Sequence, residues 1–163
     1  METKMHNLAL QHVEPEIAAR ILGYITSLFS AFLLLPASRT GLLVDVFAVP
    51  YERTIKYHRI LGYLTFLFMT LHALIWWCKW LEEGHLGENI FEYNKLYEYR
   101  IAYQDWSISV IETAWALMGA SILMAIFVRR RVYEFFQYSH KYIGIIYYVS
   151  AINHAWSMWY DVS

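Results

Sequence analysis

Apolar residues are concentrated in four stretches of the chain, each long enough to form a helix that crosses a membrane. A helix needs about 20 consecutive apolar residues to span a hydrocarbon layer about 30 Å thick. The pattern therefore predicts an all-α fold, a polytopic membrane helical bundle with four transmembrane helices. We expect one domain over residues 1–163, with spans at about 17–35, 54–81, 106–128 and 132–160.

The connections between these stretches contain prolines, glycines and charged residues. Pro36 is expected to end the first span, because proline cannot donate the next helical hydrogen bond. Pro50 interrupts the following loop, in which the letters GLLVDVF predict one short helical turn. Residues 82–105, rich in acidic and aromatic side chains, are predicted to form a long loop.

Composition supports the membrane class and excludes some others. The chain is 58% hydrophobic with a mean hydropathy of +0.31, which is too apolar for a soluble domain of this size. A net charge of −1 gives no indication of a nucleic-acid partner. Cys78 is the single cysteine, so the sequence has no internal disulfide and no motif for covalent haem attachment.

Basic residues near the span ends predict the orientation. They are concentrated in the first and third connections, which the positive-inside rule places in the cytosol. The acidic connection and both termini are then expected outside, where most of the tryptophans also fall. The basic residues concerned are Arg39, Arg53, Lys56, Arg59, Arg129, Arg130 and Arg131.

Two spans each contain two histidines in the same spacing. His58 and His72 lie 14 residues apart in the second span, as do His140 and His154 in the fourth. Fourteen residues return to within about 40° of the same helix face and rise about 21 Å. Each helix therefore carries one histidine near either side of the hydrocarbon layer.

The predicted orientation pairs these histidines by depth. His58 and His140 share the cytosolic side, and His72 and His154 share the outer side. One intramembrane histidine alone would be interpreted as a hydrogen-bonded packing residue, but four in matching positions indicate function. The cofactor that needs two axial imidazoles at each depth is haem, here of the non-covalent b type.

A zinc or copper site is the competing metal interpretation. Two imidazoles at one depth are too few for a closed tetrahedral zinc site, and the sequence offers no carboxylate or cysteine at the right depth. His6, His12 and His85 show no comparable spacing and are expected to be solvated. Small residues that would give a macrocycle room, or simply allow close helix packing, are Gly62, Ala73, Gly119, Ala120, Ser121, Gly144 and Ala151.

These residues resemble the ferric reductase-like transmembrane domain shared by ferric-chelate reductases and NADPH oxidases. The resemblance extends from about residue 18 to 156. Its specific parts are LLLPASR at 33–39, IKYHRILG at 55–62, the downstream His72, and RRRVYEFFQYSH at 129–140. The residues of these motifs are most similar to those of the ferric-chelate reductase branch.

The resemblance implies that the four histidines bind two b haems, His58 with His140 and His72 with His154. It also implies that the four spans correspond to the second to fifth helices of a six-helix domain. The spacing between His140 and His154 is 14, where family members often have 13. Arginines that match the family or adjoin a histidine are candidate partners for haem propionates, namely Arg20, Arg39 and Arg59.

The function implied is transmembrane electron transfer from a cytosolic flavin/NADPH donor to an external acceptor, with ferric chelates favoured. NADPH oxidases generally carry a histidine four residues after the outer ligand, where this chain has Trp76. A superoxide-generating oxidase and a non-catalytic haem-binding membrane subunit are the alternatives. The sequence contains no dehydrogenase region, so FAD and NADPH are expected only through a further domain or partner. The expected location is the plasma membrane or an organelle membrane.

Overall fold

The computed structural model describes the backbone of residues 2–37, 42–91 and 102–160. Side chains are described over 14–36, 44–87 and 108–155, and at Ile90. All the regular elements in these ranges are helices. They are α1 (Glu2–Leu34), a 3₁₀ turn (Leu35–Ala37), α2 (Leu42–Asp45), α3 (Tyr51–Glu83), α4 (Leu86–Phe91), α5 (Ala102–Phe127) and α6 (Tyr133–Tyr160).

Four of these helices are long, and three are apolar enough to cross a membrane by length and composition. The three candidate spans are Glu14–Leu34, Tyr51–Glu83 and Ile108–Phe127. The fourth long helix, α6, has 28 residues, or about 42 Å of helix, but contains more polar and tyrosine positions. The predicted all-α membrane fold is therefore confirmed, and the protein is an integral membrane protein.

Helix ends follow the local chemistry of the chain. The α-helical part of α1 ends at Leu34, two residues before Pro36. At the other end of α3, Gly84 adopts a φ of 77°, and its N–H donates to the Leu81 carbonyl over 3.2 Å. The N–H of His85 donates to the Trp80 carbonyl over 2.9 Å, which completes a Schellman cap.

The structure corrects the prediction of one continuous loop over residues 82–105. Within it, Leu86–Phe91 forms α4, and α5 already begins at Ala102. The hydroxyl of Ser109 donates to the carbonyl of Ile90 over 3.0 Å, which satisfies a carbonyl near the end of α4. The predicted turn in GLLVDVF is confirmed as α2.

The chain divides into two compact units, Met1–Lys79 and Trp80–Ser163. In the first unit, α1 and α3 run antiparallel, because Leu33 contacts His58 while Ala19 contacts His72. Phe29 stacks on Phe68 between these contacts, with ring centroids 5.4 Å apart.

Most buried residues of α1 are small or polar, whereas most of its large apolar side chains are exposed. The buried positions Ala19, Thr26, Ser30 and Leu33 recur on one face of the helix. The arrangement is typical of helices packed within lipid, where small residues let backbones approach closely and bulky side chains face the acyl chains. The exposed residues are Ile17, Ile21, Tyr24, Leu28 and Phe32.

In the second unit, α5 and α6 form an antiparallel helical hairpin. The N–H groups of Val128 and Arg129 both donate to the Met124 carbonyl over 2.9 Å, and Arg131 donates to Val128. A connection this short brings two helices together as neighbours. Ser139 on α6 lies 3.9 Å from the Met124 sulfur on α5, measured from its Oγ atom.

Candidate functional site

His58 on α3 makes a hydrogen bond to the main chain of α1. Its Nδ1 atom lies 3.1 Å from the carbonyl oxygen of Leu33. Leu33 belongs to the last turn of α1, where the carbonyl groups have no N–H partner within the helix. His58 therefore caps the end of α1 while its ring is held in one orientation.

His72, 14 residues further along α3, is held in the same way. Its Nδ1 atom lies 2.6 Å from the carbonyl oxygen of Ala19, a residue with no exposed surface. Gly23 lies directly beside the ring, one helical turn after Ala19. A carbonyl oxygen has two lone pairs, so it can accept both its helical N–H and the imidazole.

These two contacts define the tautomer of both rings. A carbonyl oxygen can only accept, so Nδ1 must be the atom that carries the proton in each histidine. In a neutral imidazole the lone pair then belongs to Nε2. Metal-binding histidines are generally oriented in this way, with the second nitrogen donating to a carbonyl or carboxylate.

The spacing of the acceptors on α1 equals the spacing of the histidines on α3. Ala19 and Leu33 are 14 residues apart, as are His58 and His72. Thr65 is the midpoint on α3 and has no exposed surface. Its hydroxyl oxygen makes no hydrogen bond with any residue that the structure describes.

In the second unit His140 has a side-chain partner instead of a carbonyl. Its Nδ1 atom lies 2.6 Å from the Oγ atom of Ser121 on α5. Its ring also packs against Phe136, with centroids 5.1 Å apart and planes at 28°. Because a hydroxyl both donates and accepts, Ser121 is compatible with either tautomer of His140.

His154 is half-buried on α6, and its Nδ1 atom is shielded from solvent. Tyr147 lies halfway between His140 and His154 and is only 3% exposed. The ring of Tyr147 meets that of Tyr148 edge-on at 5.2 Å. Both histidine-bearing helices thus have a buried side chain midway between their histidines.

The predicted arginines have different surroundings. Arg20 and Arg59 are exposed, each directly next to a residue of the α1–α3 contact. Arg39 lies outside the described residues, as do the side chains of His6 and His12. His85 is exposed, on the residue after Gly84.

Three features of the site were not predicted from the sequence. The main-chain acceptors Ala19 and Leu33 have no signature in the sequence, because every residue has a carbonyl. Gly23 is visible in the sequence only as a glycine in an apolar span, four residues after an alanine. At the end of the α1–α3 pair Lys79 bonds to Glu16, and its Nζ atom lies 5.2 Å from the centre of the Trp76 ring.

No group of three or more histidine, cysteine, aspartate or glutamate side chains that could hold a metal ion lies among the described residues. The described histidines therefore offer imidazole nitrogens without a carboxylate or thiolate to complete a coordination shell. This donor set suits a metal that brings its remaining ligands with it.

Comparison with known proteins finds similarity to ferric reductases. The family of ferric reductase like transmembrane components matches residues 22–151. Among proteins of Arabidopsis thaliana, the chain is 33% identical to ferric reduction oxidase 7, chloroplastic, over 77% of this chain and 16% of that protein. It is 30% identical to probable ferric reduction oxidase 1 over 85% of this chain and 18% of the relative.

Ferric reduction oxidase 2 of the same plant is 28% identical over 91% of this chain, again with 19% of the relative covered. The chain thus spans less than a fifth of the length of the curated relatives it matches. No solved structure matches it. The family match covers all or part of the four long helices, and the chain belongs to the ferric reductase like transmembrane component family.

Proposed function

We propose that this chain carries electrons across a membrane through two b-type haems. The ligand pairs are those predicted from the sequence, His58 with His140 and His72 with His154. The observation that carries the proposal is the pair of main-chain hydrogen bonds from α3 to α1. Each one holds an imidazole as the tautomer that an axial ligand requires.

The residues present fit the group that the family implies. Haem supplies four equatorial nitrogens, so one imidazole from each of two histidines completes its coordination, without the carboxylates or thiolates of other metal sites. When bound, it would supply one-electron oxidation and reduction, and the four histidines would hold it. Arg20, Arg39 and Arg59 are the proposed donors to its propionates.

The chain's own residues then have defined tasks. Nε2 of His58 and of His72 points its lone pair away from the atom that α1 holds, so each ring is oriented before any ligand binds. Donation from Nδ1 to a carbonyl raises the basicity of the other nitrogen and strengthens it as a ligand. The exposed apolar side chains of α1 place this helix in lipid. The hydrogen bonds between α1 and α3 then lie where little water competes for them.

The proposed donor is a flavin/NADPH dehydrogenase domain or subunit on the cytosolic side, and the proposed acceptor is an external ferric chelate. The relatives carry ferric reduction in their names, which supports this acceptor. Trp76 supports it too, because it occupies the position at which NADPH oxidases generally have a histidine.

The test is an optical spectrum of the chain in membranes or detergent, reduced chemically so that no dehydrogenase is needed. We expect two b-type haems per chain and the loss of one in His72→Ala. His85→Ala is the matched control, since His85 is exposed and outside both predicted pairs. A colourless protein, or two intact haems in His72→Ala, would contradict the ligand assignment.

The acceptor is tested separately, on membranes completed with a dehydrogenase partner. Ferrous-chelator colour and superoxide release are measured side by side in the same preparation. Ferrous product without superoxide is expected for a ferric-chelate reductase. Superoxide in excess indicates the oxidase alternative, and neither product with both haems present indicates a non-catalytic haem-binding subunit.

A further inference from the structure

We propose that Gly23 is a positioning residue for His72. Through Gly23, α1 sets the orientation of His72, a proposed haem ligand that belongs to α3. The inference rests on the proposed function, because orientation of the ring matters through the group that its Nε2 would bind. Gly23 makes no bond to His72. Its contribution is the space that a missing side chain leaves.

The distances show how tight this space is. A Cβ atom added at Gly23 would lie 3.1 Å from Cε1, 3.2 Å from Nδ1 and 3.8 Å from Nε2 of His72. Ordinary carbon contacts begin near 3.4 Å, so the ring would have to move by a few tenths of an ångström. It has little freedom to do so, because its Nδ1 atom is already only 2.6 Å from the Ala19 oxygen.

The glycine is not needed for the backbone. Gly23 lies inside the regular α-helix of α1 and has no left-handed φ, so alanine would be the better helix former there. A glycine inside a helix is less stable than an alanine, because it loses more conformational freedom on folding. The close approach of the imidazole is the feature of the structure that accounts for it.

Two other helical glycines, each beside a predicted ligand, do not show this feature. A Cβ at Gly62, which lies on α3 one turn after His58, would meet only the Leu33 Cδ1 atom, at 3.9 Å. At Gly144, one turn after His140 on α6, a Cβ would meet nothing within 4 Å. Gly87 on α4 is also a helical glycine at which a Cβ would meet nothing within 4 Å, and it lies outside the residues assigned to haem binding, so it supplies the control.

The experiment compares Gly23→Ala with Gly87→Ala in the full chain, with the haem iron oxidised. Readouts are haem per chain, the rate of haem loss to an excess of apomyoglobin, and the low-spin electron paramagnetic resonance spectrum. We expect Gly23→Ala to release one of its two haems about 10- to 100-fold faster, the usual effect of disturbing a ligand's hydrogen-bond partner. The second haem serves as an internal control, and Gly87→Ala should match the parent.

A double-mutant comparison keeps the inference testable if Gly23→Ala accumulates poorly. In the His72→Ala background the ring that the new methyl group would strike is gone, so Gly23→Ala should be harmless there. Accumulation of the double variant at the level of His72→Ala alone supports the inference. Equal damage from Gly23→Ala in both backgrounds overturns it, because the glycine then serves helix packing alone.

The outcomes separate this inference from the proposed function. Two haems in the parent and unchanged release and resonance spectra in Gly23→Ala overturn the role of Gly23 and leave the haem assignment intact. A parent chain that binds no haem overturns the proposed function, and the inference is overturned with it.

Discussion

The two units hold their histidines with different kinds of partner. In Met1–Lys79 both rings donate to main-chain carbonyls of α1, whereas in Trp80–Ser163 His140 faces the hydroxyl of Ser121. A carbonyl cannot be removed by mutation and accepts only, so it defines one tautomer. A hydroxyl can donate or accept, and a single substitution removes it. The orientation of both histidines in the first unit therefore depends on its backbone, whereas that of His140 in the second depends on a side chain.

The largest expected effect comes from removing one histidine from each unit. If His58 and His140 bind the same haem, His58→Ala and His140→Ala should each lose one haem and leave the same remaining spectrum. The physical reason is that loss of either axial imidazole leaves the iron with one protein ligand in a site built for two. Reduced-minus-oxidised spectra and haem per chain measure this, again with His85→Ala as control.

Different residual spectra for these two variants would break the predicted pairing. Should His140→Ala match His72→Ala instead, the depth assignment of the fourth span would be reversed. The spacing of 14 residues between His140 and His154 makes this comparison informative, because the two rings lie on nearly the same face of α6.

The next effect should come from Ser121, a histidine partner whose hydroxyl can be deleted by mutation. Ser121→Ala removes the group 2.6 Å from the His140 Nδ1 atom and leaves that nitrogen buried beside a methyl group. We expect haem release from one site to accelerate about 10-fold or more, as is usual for outer partners of ligating histidines. The measurement is haem transfer to apomyoglobin, with the resonance spectrum of the affected site as a second readout.

Ser150→Ala is the matched control for this variant. Ser150 is also only 3% exposed and lies on α6, but its hydroxyl donates to the Ile146 carbonyl and not to a histidine. Its removal should change the thermal stability slightly and haem release not at all. Equal effects of the two serine variants would indicate general loosening of α5 against α6, and would remove the contrast between the units.

The sequence predicted the helices and the equal spacing of the histidines, because both depend on periodic patterns along one segment. It placed α1, α3, α5 and α6 within a few residues at most ends, apart from the helical extension of α1 to Glu2. It missed α4, since an isolated turn of six residues has no periodic signal strong enough to stand out in an acidic segment.

The partners of the histidines could not be predicted for a physical reason. Which carbonyl faces a ring depends on the register of two helices, and register is a tertiary property. The equal spacing of Ala19 and Leu33 becomes visible only once α1 lies antiparallel to α3. Gly62 and Ser121 are both small residues within predicted spans. Only the contacts distinguish them, because Ser121 bonds to a histidine whereas a Cβ at Gly62 would meet a leucine.

The smallest expected effect concerns the midpoints of the two histidine helices, Thr65 on α3 and Tyr147 on α6. Thr65 buries a hydroxyl for which the described residues offer no hydrogen bond, a cost of about 1–3 kcal/mol for a typical buried group. Thr65→Val replaces that hydroxyl with a methyl group of the same shape. We expect the free energy of unfolding to stay equal or to rise by about 1 kcal/mol.

Thr70→Val is the control for the Thr65 variant, five residues further along α3. The Thr70 hydroxyl donates to the Phe66 carbonyl over 2.7 Å, so its removal should lower stability by about 0.5–1.5 kcal/mol. Thermal unfolding in detergent, with haem content measured in parallel, gives both values. A Thr65→Val variant that is less stable than Thr70→Val, or that loses haem, would mean that this hydroxyl has a bound partner between the two histidines. The first unit would then depend on a side chain at its centre, as the second does at Ser121, and the contrast between them would be one of degree.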